Sequence, residues 1–162
     1  MTDFFSTSQK LRQHNNYNSL GAIIAGINGT PVYRLSQTRD LLSANMQKQF
    51  MSLVILMGTQ KSHFAYRLAW ENTFSARIPF IPLHLRDLVS AEEGNKTFVG
   101  ENNSRINWRK FEVMGEVVLG VQQSQKTPYP AFPRNDLVQR LVLETKMSAD
   151  EEVSSAHYST PY

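Results

Sequence analysis

Cysteine is absent from the 162 residues, which excludes disulfides and thiolate metal sites. The four histidines, His14, His63, His84 and His157, stand at no spacing that suits a metal ion. Long apolar runs are missing as well. The longest candidate, residues 50–57, is too short to cross a bilayer, and residues 1–12 lack the apolar core of a signal peptide. Charge of one sign is scarce. The formal net charge is only +3 and the lysines and arginines are scattered, so no nucleic-acid footprint emerges. No glycine-rich phosphate loop occurs, so the chain is not expected to hold a nucleotide of its own. No nucleophile elbow accompanies its serines and histidines. Neither a metal nor another cofactor is implied, and a soluble, cytoplasmic protein is the expectation. Convincing period-two alternation is lacking too, which argues against a sheet.

What is present is helix pattern. Hydrophobic residues make up 41% of the chain, enough for one core in a domain of this length. Leu20, Ile23, Ile24 and Ile27 fall on one helix face, with Asn16 or Asn18 as its cap and Gly29 near its end. Thr30 and Pro31 then read as N-cap and first helical residue, with Val32, Leu35 and Leu41 on the apolar side. Asn45 is placed to cap a helix burying Met46, Phe50, Leu53, Val54 and Met57, stopped by Gly58. Residues 63–71 form a shorter helix. Pro79 and Pro82 predict an extended, buried connection over 77–85, with helix from 85 to 92. Asn107 caps a helix presenting Phe111, Met114, Val117, Val118 and Val121. Thr127 and Pro128 end it, and Pro128, Pro130 and Pro133 hold an extended loop. Asn135 caps a last helix with Leu137, Val138, Leu141 and Val142. Trp70 and Trp108 are expected in the core. From residue 148 the chain is small, polar and acidic, which predicts a disordered tail over 148–162. The class is all-α.

Four stretches, in this order and spacing, resemble the catalytic domain of Ras guanine nucleotide exchange factors of the Son-of-sevenless type. The first runs from Asn15-Asn16-Tyr17-Asn18-Ser19-Leu20 to Asn28-Gly29-Thr30-Pro31-Val32-Tyr33-Arg34-Leu35. The second is Ile78-Pro79-Phe80, a gap of four, then Leu85-Arg86-Asp87-Leu88. Glu92-Glu93-Gly94-Asn95 follows directly. The fourth pairs Ile106-Asn107-Trp108 with Val121-Gln122-Gln123-Ser124-Gln125-Lys126-Thr127-Pro128-Tyr129. Singly each is weak; together they span residues 11–147, and the domain is bounded at 1–147.

The resemblance implies an irregular helical bundle with a protruding helical hairpin, built from residues 85–99 with its tip beyond Gly94. It implies a regulator of a Ras-like small GTPase, one that performs no covalent chemistry and meets membranes only through that partner. Val89 matches the apolar side chain that approaches the partner's magnesium site. Glu93 matches the carboxylate that hydrogen-bonds the phosphate-loop hydroxyl. Magnesium wants a full set of oxygen ligands, which an apolar group denies it, and a carboxylate repels phosphate. Glu92, beside this pair, is a further candidate for contact with the GTPase, with a solvated carboxylate before a helix-ending glycine as its plain reading. Asn95 matches an asparagine at the hairpin turn, with a cap for the following helix as its plain structural role. Phe80, His63, Tyr33 and Asn28 match positions that hold the partner's two switch regions. The family fills the His63 position with Tyr or Phe; a lone histidine reads as a surface residue, and Phe64 is the neighbouring substitute. Asn28 reads alternatively as a helix C-cap.

The family's catalytic domain is longer at its start, with no counterpart before Leu11, so the chain reads as a piece of a larger domain. Its Leu20/Ile24/Ile27 face is expected to be left uncovered and its exchange activity to be weak. Two further readings stay open: a module that binds the GTPase without catalysis, and a helical scaffold for other protein partners.

Overall fold

The computed structural model describes residues 2–146. The predicted tail over 148–162 lies outside them. Among the described residues helix dominates, and the all-α expectation holds.

Helix α1 (Thr2–Gln13) and helix α2 (Tyr17–Asn28) meet at a tight turn where Asn15 takes a left-handed φ of 53°, a conformation asparagine tolerates. Asn16, not Asn18, caps α2 by accepting from the Ser19 amide at 3.0 Å. Sequence pattern does not reveal α1, because its inward face is Phe5, Ser8 and Leu11, and the middle residue is polar. Ser8 sits buried by turning its hydroxyl back to the Phe4 carbonyl at 2.8 Å. Leu20, Ile24 and Ile27 are buried, so the expected uncovered face is in fact filled, by α1 and by α5 (Ala44–Met57). Phe5 stacks on Phe50 at 4.2 Å between ring centroids. Each such apolar side chain taken out of water contributes about 1.5–3 kcal/mol.

Two short helices, α3 (Thr30–Tyr33) and α4 (Ser36–Asp40), connect α2 to α5. Thr30 is already helical and Gly29 is the cap, one residue earlier than predicted, which moves Pro31 into the first turn. Leu41 is exposed, because α4 stops at Asp40 and turns the chain outward. Arg39 reaches back to the Ile27 carbonyl at 3.1 Å, satisfying an orphan acceptor at the end of α2. The cap of α5 is Ser43, which accepts from the Met46 amide; Asn45 lies inside the helix.

Helix α6 (Gln60–Glu71) contributes Tyr66 and Trp70 to the core, and its regular part begins only after Lys61, Ser62 and His63, which take left-handed φ angles. Arg77 lies over the Trp70 ring at 3.9 Å. The following strand-like segment is clamped to the α1–α2 turn: Tyr17 donates to the Ile78 carbonyl and Ile78 donates to the Asn15 carbonyl, both at 3.0 Å. The extended connection is therefore shorter than predicted. Helix α7 (Ile81–Gly94) already starts at Ile81, because Pro82 falls in its first turn, where a missing N–H costs nothing.

Helix α7 packs on α8 (Trp108–Lys126). Between them lies a small antiparallel ribbon, β1 (Phe98–Val99) and β2 (Arg105–Ile106), registered Phe98 to Ile106 and Val99 to Arg105. Gly100, at φ 86°, allows its turn. Two residues per strand are too few to register as alternation. The face of α8 that turns inward carries Lys110, Met114, Val117, Val121 and Ser124; Phe111 and Val118, predicted on it, point outward. Trp108 is also exposed. Asn107 precedes α8 without a side-chain cap, since its amide donates to the Lys96 carbonyl instead. After α8 the loop returns to the start of the chain, where the Tyr129 hydroxyl donates to the His14 carbonyl and Phe132 meets the His14 ring edge-on. Helix α9 (Asp136–Glu144), capped by Asn135, leaves its apolar residues exposed.

Candidate functional site

Helix α7 has one end in the core and the other beyond it. Leu83 is buried with Tyr66 and Trp70. Glu93 lies ten residues further on, about 15 Å along the axis at 1.5 Å per residue. The end of α8 also returns toward the core, where Val121 and Ser124 share a shallow cleft with Ile78 and Pro79. The α7–α8 pair is thus rooted at one end, with the ribbon at the other.

Three contacts fix the root. The Tyr66 hydroxyl, fully buried, accepts from the Phe80 amide at 2.9 Å and lies 2.8 Å from His84 Nε2. The hydroxyl can accept from both groups or donate its own proton to the ring, and the His84 tautomer sets which. Burial pushes the Tyr66 phenol well above its usual value, so it keeps that proton. Arg67 donates to Asp87 at 2.8 Å across the α6–α7 joint and, through Nε, to the Ser62 carbonyl at 2.8 Å. The Asp of the second motif therefore ties α7, through Arg67, to the left-handed run at the start of α6. Finally, Phe80 lies over Gly21: a β-carbon there would stand 2.6 Å from the Phe80 ring, which explains a glycine in the middle of α2.

The predicted site residues separate into groups. Leu85, Val89 and Glu93 form an exposed stripe along α7, at i, i+4 and i+8; Val89 is 53% exposed. Glu92, one residue from Glu93, turns to α8 and pairs with Lys110 at 2.8 Å. Asn95 closes α7 itself, donating to the Ala91 carbonyl at 3.0 Å; a strand, not a helix, follows it. Phe80 is half-buried against the core. His63 is buried, contrary to the surface reading, with its ring 6.1 Å from that of Phe80, while Phe64 faces solvent. Tyr33 is exposed, with the Arg39 guanidinium 4.5 Å from its ring centre. Asn28 is exposed in the last turn of α2, and the cap residue is Gly29. Sequence reasoning did not pick out Tyr66, His84, Arg67 or Lys110, whose roles depend on partners far along the chain. Among the described residues no group of His, Asp and Glu could hold a metal ion, and no helix is long and apolar enough to cross a membrane.

Both interior histidines are held below the usual histidine value. For His63 the causes are burial, then Arg86 and Arg67, opposed by the Met57 carbonyl and Asp87. For His84 burial leads and Arg67 adds, opposed by Asp87. The unfolded chain therefore binds more protons than the folded one once pH falls below about 6.5, and stability declines as pH drops. The thermal midpoint should fall between pH 7.5 and 5.5, and His63→Phe should flatten that fall. A midpoint independent of pH over this window would contradict the assignment.

The RasGEF domain family model matches residues 1–112, more than half of the chain. The chain belongs to the RasGEF domain family. This RasGEF match starts at residue 1, so α1 is part of the domain, ahead of the start inferred from motifs. Ras guanine nucleotide exchange factor A of Dictyostelium discoideum is 34% identical over 88% of this chain and 24% of its own length. Ras guanine nucleotide exchange factor V of the same organism is 36% identical over 85% of the chain and 7% of its own length. Rap guanine nucleotide exchange factor 5 of Rattus norvegicus is 34% identical over 71% and 19%. The chain thus spans a quarter or less of these relatives' lengths.

Proposed function

We propose that this chain promotes nucleotide release from a Ras-like small GTPase by inserting the α7–α8 hairpin beside the partner's magnesium and phosphate site. The observation that carries this reading is the exposed stripe of Val89 and Glu93 on a helix rooted in the core. A lever needs a fixed end and a free working face, and α7 has both. Val89 offers magnesium no ligand, and Glu93 competes with phosphate for its donors. Tyr33, Asn28 and Phe64, each exposed, are the side chains free to grip the switch regions, and Phe80 and His63 lie with their rings 6.1 Å apart beneath the surface. Asn95 closes the wedge helix.

Such a protein works by preferring the empty GTPase, because only differential affinity shifts an equilibrium. The test is release of a fluorescent guanine nucleotide from Ras, Rap and related GTPases, with the full chain in excess. Faster release from at least one of them is expected. Binding with no acceleration of release from any would overturn the proposal.

A further inference from the structure

Among the described residues Lys110 is the one buried side chain that carries a full charge, 2% exposed in the first turn of α8. An ammonium group loses much solvation there and needs partners. It has two: Glu92 of α7 at 2.8 Å, and the Thr97 hydroxyl, in the segment leading into β1, at 3.0 Å. Asn107 adds a parallel tie, its amide donating to the Lys96 carbonyl and its backbone N–H to the Thr97 carbonyl. Three pieces of the hairpin thus converge on one buried nitrogen within a residue of Glu93.

We infer that Lys110 is a positioning residue for nucleotide release, latching Glu92 and Thr97 so that α7 is stiff and Glu93 points outward. This rests on the exchange reading above and deepens it. It also divides the two adjacent glutamates. Glu92, its side chain still 58% exposed, is paired with Lys110, whereas Glu93 pairs with nothing among the described residues and carries its charge free to the partner.

The experiment measures fluorescent-nucleotide release against the concentration of the full chain. Lys110→Met keeps the apolar stem and removes the charge. Its maximal rate should fall about tenfold, a change of 1.4 kcal/mol in the barrier, while the half-saturating concentration shifts less than about threefold. Thr97→Val should give a smaller loss of the same kind. The double variant Glu92→Leu with Lys110→Met should recover to within about threefold of the unmodified chain, because a leucine at position 92 can pack on the buried methionine and join α7 to α8 again. Amide hydrogen exchange should quicken across residues 86–97 in Lys110→Met and return to normal in the double variant. An unchanged maximal rate in Lys110→Met, or a double variant as slow as the single one, overturns the latch. If the unmodified chain releases no nucleotide, the exchange reading fails by itself. The latch then stands or falls on the amide exchange, and unchanged protection in Lys110→Met overturns it.

Discussion

Replacing Glu93 by alanine is expected to slow nucleotide release by roughly ten- to hundredfold while leaving the fold intact. A hydrogen bond to a charged group contributes about 1.5–3 kcal/mol, and each 1.4 kcal/mol is a factor of ten in rate. Glu93 makes no hydrogen bond or ion pair among the described residues and stands exposed in the last turn of α7, so the chain's own stability does not depend on it. Substitutions at such sites change stability by less than about 0.5 kcal/mol. Val89→Glu, one helical turn back, should act as strongly, because it brings a carboxylate to a place that, on the proposed function, must offer magnesium no ligand. Stopped-flow release together with circular dichroism separates loss of function from loss of fold. Normal release in both variants would remove the hairpin's working face from the account, and an equal loss of helicity in both would refute a local role.

The second large effect is on stability. Tyr66→Phe removes one oxygen and should destabilise the chain by about 2–3 kcal/mol. The ring stays, with its edge-on contacts to Tyr17 and Phe80, so packing is preserved. What disappears is the partner of two groups at once, the Phe80 amide and His84 Nε2. An unsatisfied buried polar group costs about 1–3 kcal/mol. The His84 share falls at the lower end, since that ring is only half-buried. Phe74→Ala, at a 90% exposed position, is the control and should change little. Urea titration reads both as shifts of midpoint at unchanged slope. A Tyr66→Phe midpoint equal to the control's would show that the hydroxyl does not hold the root of α7.

How much of this was legible depends on the range of the interaction. Helices α2, α5, α8 and α9 announce themselves because apolar residues three and four apart must share a face, and that rule is local. Their caps are less legible. Ser43 and Asn45 are both plausible capping residues, and which one sits at the boundary depends on where α4 delivers the chain. Pro82 pointed to extended structure because a proline inside a helix breaks it, yet in the first turn it does no harm, and only the clamp at Ile78 decides where that turn falls. Helix α1 was hidden by Ser8, a polar residue on an apolar face. The motif residues Phe80, Val89, Glu93 and Asn95 were visible as a pattern. The groups that position them, Tyr66, His84, Arg67 and Lys110, were not, because each meets a partner between 13 and 20 residues away in the sequence. His63 was misjudged for a similar reason: its burial follows from the left-handed run in the first turn of α6, which no local propensity announces.

The most direct test is a comparison of affinities. The full chain would be titrated against one responsive Ras-like GTPase twice, first stripped of nucleotide and then loaded with GDP and magnesium. A wedge that works by displacing magnesium and phosphate should bind the empty form at least about a hundredfold more tightly, a preference that Val89→Glu should abolish. Equal affinity for the two forms would contradict the account.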